Sequence, residues 1–238
     1  MALSKIPFRS ANVADRHLDY VANEARAMGF IVLSYWKMDP KYWPGTRQPI
    51  HSPASFHYDE STLGGGRTRA LDINRDGQGT SYEVAMLNRY ILPLVQEAGL
   101  SITAGLNGFV AGHSGGVTHA HVDPGSVSNL GGTPFTTPWG GKPTVGYTGT
   151  SRQRLEYTAW IALQKALGLT ADALPGPATG RALQTALNRQ GHKLSVDGAI
   201  GTRTWQAVQK ELGTLAVDGI PGPKTYTALA ARPQKVTA

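Results

Sequence analysis

The sequence predicts two domains of different class: an α+β domain over residues 1–132 and a small all-α domain over residues 154–238, joined by a linker at 133–153. Three observations predict this. The first half is irregular and glycine-rich and holds six of the seven histidines. The last third repeats one turn-and-helix pattern three times. Between them the chain is dense in Gly, Pro and Thr, which cannot continue a helix and offers little to a core.

The repeat is local chemistry. Asp172-Ala-Leu-Pro-Gly176-Pro-Ala-Thr179, Asp197-Gly-Ala-Ile-Gly201-Thr-Arg-Thr204 and Asp218-Gly-Ile-Pro-Gly222-Pro-Lys-Thr225 share the pattern D-[GA]-x-x-G-x-x-T. Asp and Gly form a tight turn, the second Gly is expected to be left-handed or closely packed, and the Thr is expected to cap the next helix. Apolar residues then recur at helical spacing: Leu183 and Leu187, Val208 and Leu212, Ala228 and Leu229. The helix Trp160–Leu167 has the same texture. Helices this short are marginal alone and must stack.

The N-terminal domain opens with a predicted helix capped by Asp15, with Leu18, Val21, Ala22, Ala25 and Met28 on one face and Gly29 ending it. Phe30–Tyr35 reads as a buried strand. A second helix starts at Thr80-Ser-Tyr-Glu83, which has capping-box spacing. Val84, Leu87, Ile91, Leu94 and Val95 form its face, and Pro93 is expected to kink it. Leu100–Leu106 and Gly108–Ala111 are candidate strands. Helices, strands and histidine-bearing loops make an α+β domain.

Composition excludes several classes. No window approaches the ~18 apolar residues that a membrane-spanning helix needs. The first residues lack an apolar core and a small-residue cleavage site, so synthesis in the cytoplasm without a secretory signal is expected. There are no cysteines, so any metal must be held by His, Asp or Glu. The net charge of +7 suits an anionic partner, but the cations are scattered, without the basic and aromatic clusters of a nucleic-acid groove. A monomer that binds no nucleic acid and makes no stable membrane insertion is expected.

Two segments carry candidate chemistry: Ser55-Phe-His57-Tyr followed by Arg69-Ala-Leu-Asp72-Ile-Asn74, and Thr118-His119-Ala-His121-Val-Asp123. Residues two apart on a strand share a face, so His119 and His121 would present two imidazoles to one site. One could ligate a metal while the other contacts its water or the substrate. His57 and Asp72 would complete three ligands and leave a fourth position for water, the open arrangement of a catalytic zinc.

The second and third repeat turns, Val196-Asp197-Gly198 and Val217-Asp218-Gly219, resemble the peptidoglycan-binding domain family, whose pattern is V-D-G-x-x-G-x-x-T followed by an A-[LV]-Q helix. The first copy departs from it at Ala173. The histidine segments resemble the zinc D-alanyl-D-alanine carboxypeptidase group, akin to lysostaphin-type peptidases and the hedgehog signalling domain, with motifs S-x-H-x-x-G-x-A-x-D-[IL] and H-x-H-V-D. Ser55, His57, Ala70, Asp72 and Ile73 fall on the first motif; His119, His121, Val122 and Asp123 fall on the second. This resemblance implies Zn2+ held by His57, Asp72 and His121. It implies His119 as the catalytic residue that stabilises the attacked carbonyl or shuttles protons.

Two departures leave alternatives open. Fourteen residues separate His57 from Asp72, where the common form has six, so Asp59 or His51 could replace Asp72 as ligand. Thr118 stands where an E-x-x-H motif would place a glutamate, so the general base is His119 or a carboxylate that the sequence does not identify. His113, Arg47 and Arg69 are further candidates near such a site. Together the resemblances imply a peptidoglycan hydrolase of the phage-endolysin type, acting on the bacterial wall. The alternatives are a wall-binding protein with an inactive peptidase-like domain, a D-Ala-D-Ala carboxypeptidase of wall maintenance, and a glycosidase using Glu60 and Asp72.

Overall fold

The computed structural model describes residues 11–33, 70–75, 80–98, 100–102, 119–123, 150–213 and 216–238. The chain divides into two compact units, Met1–Gly149 and Thr150–Ala238.

In the first unit, helix α1 spans Ala11–Ala27. It starts four residues before Asp15, which therefore lies inside the helix and is not its cap. The predicted face holds: Leu18, Val21, Ala22, Ala25 and Met28 are fully buried. Gly29 ends the helix at φ +77°. A β-carbon there would also come within 2.6 Å of Nη1 of Arg75. That guanidinium donates to the Met28 carbonyl at 2.6 Å and lies over the Phe30 ring, 5.4 Å from its centroid. Gly29→Ala is therefore expected to destabilise this unit by about 1–2 kcal/mol, from left-handed strain and displacement of Arg75. A denaturation midpoint within error of wild type would contradict this account.

Strands β1 (Ile31–Leu33), β2 (Leu71–Asn74), β3 (Ser101–Ile102) and β4 (Ala120–Asp123) form one antiparallel sheet in the order β1-β2-β4-β3. Helix α1 packs on β1 and β2. Leu71, Ile73, Ala120 and Val122 are fully buried, so one face of the two central strands lies in the core. The period of two then sends Asp72 and His121 to the opposite face.

Helix α2 (Thr80–Met86), a π-helical turn (Leu87–Ile91) and α3 (Leu92–Glu97) run on without a break. Thr80 is the first helical residue. The expected kink at Pro93 takes a specific form. Proline cannot donate to the carbonyl four residues back and clashes with it, and the wider turn lies just upstream of the ring. Leu87, Ile91, Leu94 and Val95 are fully buried as expected; Val84 is half-buried, and Met86 and Tyr90 join the core. His17 of α1 bonds through Nδ1 to the Ala98 carbonyl at the end of α3, and burial lowers its pKa. Gly108–Ala111 and the remainder of the expected strand after Ile102 lie outside the described residues.

The second unit is all-α: α4 (Arg152–Ala166), α5 (Pro177–Arg189), α6 (Thr202–Leu212), α7 (Pro223–Ala231) and a closing 3-10 turn, Pro233–Val236. The Ser151 hydroxyl caps α4, accepting from the Arg154 N–H at 3.0 Å. Helix α4 packs against α7, and the closing turn touches α4, α5, α6 and α7, with Val236 fully buried. Trp160, Trp205 and Tyr226 form an edge-to-face chain with centroid separations of 5.5 and 5.9 Å. Leu163, Leu183, Leu187, Val208 and Leu229 are fully buried around it, while Ala228 is half-buried.

Candidate functional site

Strands β2 and β4 bring together two of the expected metal ligands. Their register sets Asp72 directly opposite His121. Directly opposed residues share a face with β-carbons about 5 Å apart. Nδ1 of His121 bonds to Oδ1 of Asp72 at 2.9 Å. Without a metal this contact is a hydrogen bond from a protonated Nδ1; with both groups on one ion, Nδ1 would be unprotonated and would face the metal. His119, two residues before His121, places Nε2 3.9 Å from the same carboxylate oxygen. Asp72 and His119 are each 8% exposed, and the His121 side chain is 17% exposed. The cluster is thus shielded without being sealed, which strengthens its electrostatics relative to open surface.

The chemistry of this donor set fits zinc. Imidazole nitrogen and carboxylate oxygen are ordinary zinc ligands at about 2.0–2.2 Å, and two ligands of one tetrahedral ion stand roughly 3.3 Å apart. The 2.9 Å between His121 and Asp72 is close to that spacing. Among the described residues no group of three or more His, Asp or Glu is placed to hold a metal. His57, the third expected ligand, lies outside them, as do His51, Asp59, Glu60, His113, Arg47 and Arg69.

The second unit carries a side-chain clamp used three times. Gln164, Gln184 and Gln209 are 1%, 2% and 1% exposed, at corresponding places in α4, α5 and α6. Each Nε2 donates to the following turn aspartate: Asp172 at 2.7 Å, Asp197 at 2.8 Å and Asp218 at 2.8 Å. Each also donates to a turn carbonyl, of Leu174, Ala199 or Ile220. Each Oε1 accepts the N–H of the residue after the aspartate: Ala173, Gly198 or Gly219. The aspartate then accepts the N–H two residues on. One buried glutamine thereby bonds a carboxylate, an N–H and a carbonyl of the same turn, and its own amide is satisfied in doing so.

This clamp corrects three expectations. The Asp172 copy, read as divergent, has the full set of bonds. Its Ala173 sits at φ +63°, as Gly198 and Gly219 sit at +87° and +77°. The left-handed residue is therefore the one after the aspartate. Gly176, Gly201 and Gly222 have ordinary negative φ and are themselves the helix N-caps, with no capping side chain. Thr179, Thr204 and Thr225 lie inside the first helical turn and are buried. The first two accept weakly from the clamp glutamine, at 3.3 and 3.4 Å. Alanine survives at position 173, but not by the same packing as its counterparts. A β-carbon at Gly198 would stand 2.8 Å from the Pro177 carbonyl, and one at Gly219 would stand 2.4 Å from Cγ2 of Thr202.

The aspartates give the unit an acid limit. The Gln184 amide, then the Ala199 N–H, lowers the pKa of Asp197; the Ile220 N–H, then Gln209, lowers that of Asp218. A carboxylate whose folded pKa is depressed stabilises above its unfolded pKa and loses that contribution as pH falls through the folded value. We expect a constant melting temperature above about pH 5 and a decline below about pH 4. Asp197→Asn with Asp218→Asn should flatten that decline; an unchanged acid profile would refute the linkage.

Residues 180–229 match the family described as "Putative peptidoglycan binding domain". The match runs from α5 into α7, and the Gln164 clamp repeats the same construction ahead of it. No curated protein and no solved structure matches the chain. No helix among the described residues is long and apolar enough to cross a membrane. Residues 180–229 are thus similar to a peptidoglycan-binding domain, a similarity that points to the cell wall.

Proposed function

We propose that this chain is a modular peptidoglycan hydrolase of the endolysin type: the first unit cuts a peptide bond of the wall, and the second holds the enzyme on the polymer. The observation that supports it most is the Asp72–His121 pair across β2 and β4, with His119 on the same face, in a chain that also carries a wall-binding domain. His57, Asp72 and His121 would hold a zinc ion. Zinc supplies a water whose pKa falls to about 7 and a Lewis acid for the scissile carbonyl. The strand register sets the Asp72 carboxylate beside the His121 ring, so both can face one ion. His119 stands beside the ligands, in reach to donate to the carbonyl oxygen or to pass a proton to the leaving amine. The repeats raise local enzyme concentration on the wall without a new contact at the scissile bond.

Purified bacterial walls treated with the full chain should clear, and a chelator should stop clearing until zinc is restored. Undiminished clearing in chelator would sink the zinc assignment. The fourteen-residue spacing between His57 and Asp72 favours one competing reading, a wall-binding protein with an inactive peptidase-like domain. Wall binding with far less than one zinc per chain and no released peptides would establish that reading instead.

A further inference from the structure

The net positive charge of this protein lies almost wholly in one unit. Residues 150–238 carry eleven Lys and Arg against five Asp and Glu, a net of +6 of the chain's +7. The two signs are used differently. Every carboxylate of the unit has an internal task. Asp172, Asp197 and Asp218 hold the clamped turns. Glu211 bonds His192 at 2.7 Å, and Glu156 accepts from the Trp160 indole at 3.3 Å. Ten of the eleven cations are exposed, and none of these ten has an ion-pair partner among the described residues.

Only some of the exposed cations serve the fold: Lys165, Arg189 and Lys210 lie in the last turns of α4, α5 and α6, where the helix dipole favours a cation. No helix of this unit has an acidic residue in its first turn. Arg203 and Lys224 occupy the second position of α6 and α7, where the helix dipole favours the opposite sign. Like charges this dense also repel one another within a Debye length. A surplus that faces solvent, with Arg203 and Lys224 set against the helix dipole, is suited to an external polyanion.

We propose that this unit holds the wall by charge, its exposed lysines and arginines binding the free carboxylates of peptidoglycan stem peptides. This rests on the wall-binding half of the function proposed above. It adds that attraction to a dense anionic polymer, rather than an apolar pocket, sets the affinity. Such binding is diffuse, tolerant of which sugar or peptide is met, and screened by salt.

The test is co-sedimentation of the full chain with purified walls in the cold, at about 0.05 M and about 0.5 M salt. The partner variant is Arg203→Glu with Lys224→Glu. These changes place acids at helix N-termini, so the helices should be kept or strengthened, and a melting curve checks this. We expect wild-type affinity to fall at least about tenfold with salt. The variant should bind about tenfold more weakly than wild type at low salt and equal it at high salt. Walls whose carboxylates are blocked as neutral amides should lose the protein; walls stripped of phosphodiester polymers by acid should retain it. Salt-independent binding by both proteins would overturn the charge inference and leave the wall-binding reading intact. Loss only on acid-stripped walls would move the ligand to a phosphodiester polymer and overturn the carboxylate assignment. No binding to walls at any salt would overturn both readings.

Discussion

Asp72→Ala is expected to remove bound zinc and to lower wall clearing by more than about 100-fold, while wall binding stays at the wild-type level. Loss of a residue that merely supports a ligand costs about 10–100-fold in metal affinity or activity, and loss of a ligand costs more. Asp72 is the centre of its cluster. Its Oδ1 lies 2.9 Å from His121 and 3.9 Å from His119, so one truncation disturbs both imidazoles. Asp72→Asn is the sharper variant. It keeps the shape and an oxygen that can accept from His121, but it removes the charge that favours a divalent cation. Its fold should therefore survive and its zinc should not. Zinc content and clearing measured side by side decide the matter. Wild-type zinc in both variants would transfer the third ligand to Asp59 or His51. Binding should be spared because the clamped repeats form their own compact unit.

Gln184→Ala is expected to destabilise the second unit by about 3 kcal/mol. The side chain is 2% exposed and sits between α5 and the turn that leads into α6. Its removal breaks the bonds to Asp197 and to the Ala199 carbonyl, each worth about 1 kcal/mol net. It also strips the Gly198 N–H of its acceptor, a group whose unmet desolvation costs about 1–3 kcal/mol. In a unit of this size each kcal/mol moves the melting temperature by about 4–8 °C, so a drop near 15 °C should be seen. Gln184→Glu separates packing from polarity. It keeps the volume but loses the amide donor and sets a carboxylate against Asp197, so it should be at least as damaging as alanine. A melting temperature within about 3 °C of wild type for both variants would show that the clamp is incidental.

The clamp also shows where sequence reading stopped. The turns were legible because their chemistry is local: Asp, a permissive residue and the next N–H groups lie within a few positions of one another. A glutamine at the same place in three successive helices was a visible signal. Its role was hidden because its partners lie eight to twenty residues away and meet only when each helix folds back on the following turn. The threonines were misread for a related reason. A hydroxyl two residues after a Gly-Pro or Gly-Thr step looks like a cap, but glycine already occupies the cap position. Asp15 shows the weakness of composition at helix ends: upstream residues continued α1 without needing that carboxylate as a cap.

The sequence by itself determined the apolar face of α1, the turn chemistry of the repeats and the same-side placing of His121 on β4 and His119 just before it. Each depends on backbone periodicity or on neighbours a few residues apart. Only the tertiary structure decided that Asp72 meets His121, because their contact is a matter of register between strands forty-nine positions apart. A slip of one residue would have turned either side chain into the core. The tertiary structure likewise decided that three buried glutamines hold the repeats together and that the unit's carboxylates bond within the unit while ten of its cations face solvent. Burial and long-range pairing are properties of the packed chain, and no local pattern encodes them.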